Sequence, residues 1–230
     1  MSKSTAATTG RERFPDLPAH MKALPRDKRG FPVPWFVAWV GKDPFFPAID
    51  PLKLHAAVAR RLCWVCGNPL GKFHASVIGP MCAINRTVSE PPSHLECARF
   101  SAMHCPFLAN PHMRRVPPRI YPGGKRGSEP PGIHLERNPG ACAVWIESRA
   151  LLPFRVGDGL LFELGDPERV EWYCEGRPAL RSEVAASIES GLPALVEACE
   201  MEVPSKRAAA RLELEKLVRR VMEMIEELPQ

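Results

Sequence analysis

Two short motifs carry the chemistry of this chain: Cys63-Trp-Val-Cys66-Gly67 and His94-Leu-Glu-Cys97, with 27 residues between Cys66 and His94. In each pair a two-residue gap lets both donors turn toward one centre, and thiolates with an imidazole suit a tetrahedral zinc ion. Four protein ligands close the coordination sphere, so the ion they imply holds structure; hydrolytic zinc needs an open position. The candidate ligand set is Cys63, Cys66, His94 and Cys97, with Cys82, Cys105, His74 and His104 as alternative donors in or beside the same stretch.

Those donors need elements to position them. Asp50-Pro51 is an N-cap followed by proline at the first helical position, which predicts a helix from about Pro51 to Leu62 with Leu54, Val58 and Leu62 inward. This helix delivers the chain into Cys63. Cys66-Gly67 is the tight turn of a zinc knuckle, where glycine lets backbone amides approach sulfur. The runs 72–78 and 81–88 flank Gly79-Pro80 and read as a hairpin. Ser93 with Glu96 fits a Ser-x-x-Glu capping box, placing His94 and Cys97 on one face of a helix's first turn. Knuckle, hairpin and helix in this order resemble a treble-clef zinc finger over residues 60–107, with His94 where a cysteine is commoner.

Cysteine usage supports metal over disulfides. The N-terminus lacks the apolar core of a secretory signal, so a cytoplasmic, reducing location is expected, where clustered cysteines bind metal. Five of the 8 cysteines fall between residues 63 and 105, and Cys142, Cys174 and Cys199 sit singly in apolar patterns that suit buried thiols. With 45% apolar and 25% charged residues the composition is that of a globular protein, and no run approaches a membrane span.

The expected organisation is α+β in four parts. Residues 1–30 form a flexible basic arm, 31–110 the zinc-finger domain, 111–132 a basic Pro/Gly-rich linker, and 133–230 an α+β C-terminal domain. In the last part, strands at 143–146, 160–164 and 170–174 predict a small antiparallel meander covered by C-terminal helices. One helix runs from Ser182 to about Ser190, Gly191 stops it, and Pro193 starts another. The final helix, 205–228, spaces Leu214, Leu217, Val221, Met224 and Leu228 by three and four, which suits packing on the meander or a homodimer.

Charge divides the chain. Residues 1–127 carry 19 lysines and arginines against 7 acids, and the remainder 12 against 19, so +12 and −7 make up the net +5. A basic half containing a zinc motif attracts polyanions, which makes nucleic acid the leading partner and Arg60, Arg61, Arg114, Arg115, Arg119, Lys125 and Arg126 the candidate contacts. An adapter for a host or phage protein, using the acidic half, is an alternative. So is a metal-dependent His-Asn-His-type nuclease using His74, Asn85 or His104. Walker loops, Gly-x-Ser-x-Gly elbows, His-Glu-x-x-His helices and the zinc deaminase signature are absent from the sequence, which excludes those activities by motif.

The segments Phe31-Pro-Val-Pro-Trp-Phe-Val, Cys63-Trp-Val-Cys66-Gly67, Ile78-Gly-Pro-Met-Cys82, Glu90-Pro-Pro-Ser-His-Leu-Glu-Cys97 and Cys105-Pro-Phe-Leu108 resemble a group of uncharacterised proteins from bacteriophages and bacterial genomes. Val170-Glu-Trp-Tyr and Arg177-Pro-Ala-Leu-Arg-Ser-Glu-Val184 extend the likeness toward the C-terminus. The resemblance implies a phage or prophage setting and brings no catalytic residue with it.

Overall fold

Strand pairing is antiparallel throughout the described fold, and helices fill the spaces between its sheets. The computed structural model describes residues 14–114, 137–148, 151–157 and 159–230. The elements run β1 (Val37–Val40), β2 (Asp43–Ile49), α1 (Pro51–Arg60), β3 (His74–Ile78), α2 (Pro80–Asn85), β4 (Thr87–Val88) and α3 (Leu95–His104). After them come β5 (Ala141–Glu147), β6 (Leu152–Val156), β7 (Gly159–Glu163), β8 (Arg169–Cys174), β9 (Arg177–Pro178), α4 (Arg181–Met201) and α5 (Pro204–Met224). The class is α+β, as expected. No helix among the described residues is long and apolar enough to cross a membrane.

The principal sheet has the order β3-β5-β8-β9, a second has β4-β7-β6, and β1-β2 form a hairpin. Because β3 pairs with β5 from His74↔Glu147 to Ile78↔Ala143, one sheet draws strands from both sides of the segment 111–132. The expected hairpin of 72–78 with 81–88 does not form. Gly79-Pro80 is a helix start instead: Pro80 occupies the first turn of α2, where its missing N–H costs nothing, and Ala83 and Ile84 are buried. The expected meander is likewise interrupted. β5 pairs directly with β8, while β7 turns back on β6, a strand not anticipated because Pro153 obscures its pattern.

Alternation places one face of the principal sheet against α3 through Ala75, Val144 and Ile146, and the other against α2, α4 and α5 through Ile78, Ala143 and Trp145. Helix α4 runs unbroken through the expected stop at Gly191 and restart at Pro193. Gly191 is there for close approach: a Cβ on it would come within 2.9 Å of Met81 Cε in α2. Pro193 deprives only the carbonyl of exposed Glu189, which water can satisfy. The buried face of α5, Val221 followed by Ile225, packs within this chain. Within the stretch 1–30 expected as an arm, Phe14 and Met21 are buried.

The two sheets are clasped at Gly165. Its N–H donates to Glu147 Oε2 at 3.2 Å, and its carbonyl accepts from Arg86 Nη1 at 2.9 Å and Trp145 Nε1 at 3.2 Å. Glu147 is only 3% exposed, and burial pushes its carboxyl up to about 6 despite nearby Arg86. The native state therefore holds more protons than the unfolded chain between about pH 4.5 and 6, so this group's contribution falls as pH rises through that window. Glu147→Gln should gain about 2 kcal/mol relative to wild type on going from pH 4.5 to pH 7, measured by denaturant titration at each pH. A difference independent of pH would mean that the carboxyl is not desolvated.

Candidate metal centre

The knuckle forms where α1 ends. Asp50 caps α1 as expected, accepting from Leu52 N–H at 3.0 Å, and the chain then turns so that Leu62 pairs with Pro69 across the loop. Inside it Cys63 N–H donates to Asn68 O at 2.7 Å and Gly67 N–H to Cys63 O at 2.8 Å. The preceding segment grips the loop from outside. Trp35 N–H donates to Val65 O at 2.7 Å, Phe36 stacks on Trp64 with centroids 4.8 Å apart, and the Trp35 ring covers Gly67.

The second ligand pair starts differently from expectation. Ser93 does not cap the helix, because its N–H and C=O are both committed to Ala75 on β3, at 2.8 and 2.9 Å. Helix α3 begins one residue later, with His94 as its extended N-cap residue and Cys97 in the first turn. Both ligands still face the knuckle, and Trp64 N–H donates to Pro92 O at 3.0 Å to join the two segments.

The result is a cluster in which one ligand atom from each of Cys63, Cys66, His94 and Cys97 lies within 4.8 Å of the others. The imidazole Nδ1 is 3.3 Å from Cys66 Sγ and 4.0 Å from Cys97 Sγ. A tetrahedral zinc site has ligand separations of about 3.5–3.8 Å, so the cluster is close enough to hold a metal ion and its donors are consistent with zinc. His94 Nε2–H donates to Pro69 O at 2.9 Å, which fixes the tautomer and leaves Nδ1 for the ion. Among the described residues this is the group that could hold a metal; Cys82, Cys105, His74 and His104 are not part of it.

The three thiols are linked electrostatically. Cys63 Sγ accepts N–H bonds from Cys66 and His94, both at 3.4 Å. Its thiol is drawn far below the usual range, chiefly by hydrogen bonds with Cys66 and Cys97. Those two are pushed up in turn, Cys66 to about 11, each chiefly through Cys63. Three cysteine sulfurs and an imidazole crowded together form a donor set that a divalent ion could occupy, displacing the thiol protons.

Several contributors had no local signal in the sequence. His20 stacks on His94 with centroids 4.2 Å apart and planes at 11°, and Phe14, Met21 and Phe100 bury the cluster's apolar side. Only their final proximity marks them.

The residues considered for nuclease chemistry have separate structural partners. His74 Nε2 is 3.2 Å from Arg61 Nη2 on the α2 side of the sheet, and Asn85 Oδ1 accepts from Thr87 N–H at 3.0 Å. His104, on α3 across the sheet, lies between the Phe14 and Phe100 rings, and burial lowers its pKa. Among the candidate phosphate contacts, Arg60 and Arg61 are exposed at the end of α1, and Arg114 is exposed where it pairs with Arg137. Arg115, Arg119, Lys125 and Arg126 lie outside the described residues.

Comparisons with protein-family models, with curated proteins and with solved structures returned no match.

Gly67 provides a test of the knuckle. It has φ +76°, and a Cβ there would sit 2.7 Å from Trp35 Cγ. Gly67→Ala should therefore destabilise the metal-loaded protein by about 2 kcal/mol, read as a lower thermal midpoint. An unchanged midpoint would mean that Trp35 does not pack on the turn.

Proposed function

We propose that this protein is a zinc-stabilised nucleic-acid-binding protein whose metal centre holds a cationic surface in shape. The observation that carries this reading is a run of 39 residues, 51–89, without an acid, folded around the knuckle with Arg60, Arg61 and Lys72 exposed. Leu70 N–H donates to Arg61 O at 2.8 Å, so the knuckle's return limb lies against the end of α1 and brings these cations into one neighbourhood. Cations so placed neutralise phosphates and release counterions, a sequence-independent attraction. Arg114, Arg115, Arg119, Lys125 and Arg126 belong to the same reading as further contacts with the backbone. The motif resemblance supplies the proposed setting, a phage or prophage genome. Zinc is the proposed ion because three thiolates and an imidazole form a closed tetrahedral donor set.

Elemental analysis of the purified chain should find about one zinc per molecule, and Cys66→Ser or chelation should cost the folded state. A fully folded, metal-free protein would refute the structural role. Binding of labelled DNA or RNA should weaken steeply between 50 and 200 mM salt, and Arg60→Ala with Lys72→Ala should reduce the slope of log K against log salt by roughly 1.5. Absence of binding at low salt would end the nucleic-acid reading.

A further inference from the structure

The acid-free run 51–89 also exposes an aromatic ring. Phe73 is 48% exposed although it directly precedes a buried strand position, and Lys72 Nζ lies 5.5 Å from its ring centroid. Two residues before it, Gly71 adds no bulk: a Cβ built there meets nothing within 4 Å. A half-exposed ring with a lysine beside it offers a face to a base and a charge to the adjoining phosphate.

Neither α3 nor α1, the helices beside this surface, is built to read a major groove, which takes a helix with an exposed polar face. The metal-bearing α3 is unsuited: Cys97, Ala98, Phe100 and Ala102 are buried, and Arg99 is clamped to Glu171 on β8 through Nε at 2.7 Å and Nη2 at 2.5 Å. Its exposed first-turn residue is Glu96, an acid that would face phosphate. On α1, exposed Leu52, His55 and Ala59 offer little to read base edges.

We infer that Phe73, with Lys72 beside its ring, is a base-stacking site for single-stranded nucleic acid. The inference rests on the nucleic-acid reading above and specifies its substrate class. Stacking tolerates any base, so the site selects unpaired strands without selecting a sequence.

The test is fluorescence anisotropy of the zinc-loaded protein with a labelled 20-nucleotide oligothymidylate, its RNA counterpart and a duplex of equal length, all at low salt. Single strands should bind more tightly than duplex. Phe73→Leu should weaken single-strand binding about tenfold, the loss of one stacked base, and leave duplex binding unchanged. Phe73→Trp should retain or improve it, an outcome that loss of packing would not produce. Equal affinity for duplex and single strands, with Phe73→Leu neutral, overturns the stacking site and leaves the nucleic-acid reading intact. Absence of binding to all three overturns both.

Discussion

The sulfur of Cys63 is where the fold is fastened. It receives N–H groups from Cys66, its neighbour on the knuckle, and from His94, which enters from the far end of an excursion through β3, α2 and β4. Closing so long a loop costs chain entropy before its other contacts reward it, and the proposed ion, bound at both ends, would offset that cost. The excursion is not a detachable finger. It places β3 at the edge of the principal sheet, α2 in the large core and β4 in the second sheet. Metal ligation and core packing consequently depend on the same closure.

Local physical signals were legible in the sequence where one short segment suffices. The two ligand pairs, the Asp50 cap of α1, and the strands around Trp145, Phe162 and Trp172 follow from spacing, capping chemistry and β-branched or aromatic runs. The failures come from residues with two meanings. Gly79-Pro80 is turn punctuation in one context and a helix start in another, and the partner of β3 sits beyond Cys105, out of reach of a hairpin reading. Ser93 has the side chain of a cap, but its backbone is taken by Ala75. Gly191 and Pro193 break isolated helices, yet in α4 the glycine admits Met81 and the proline spoils one exposed bond.

The apolar cover of the metal centre illustrates a different limit. Phe14 and Met21 belong to a stretch rich in proline and charge, with little periodicity, and nothing local distinguishes them from tethered coil. They are buried in one apolar cluster with Cys63, Val65, Cys66, Cys97 and Phe100. His20 then stacks on the imidazole and approaches Glu96 at 3.7 Å. A chain segment with a weak preference of its own takes its shape from the site it covers.

Shape and charge play separate parts around this centre. The four candidate ligands are buried or partly buried, and together they would complete a tetrahedral sphere, so what the proposed ion would contribute is geometry. That geometry reaches the surface through two backbone links, the Leu62–Pro69 bridge and the Leu70 N–H to Arg61 carbonyl bond, which set the end of α1 beside the segment leading to Lys72 and Phe73. The knuckle is the chain path from α1 to β3, and the Arg61–His74 contact and shared core packing hold the two together beside it. The proposed binding surface is thus an outward consequence of an inward constraint: cations that would repel one another across a flexible loop are set together by the closure of the knuckle.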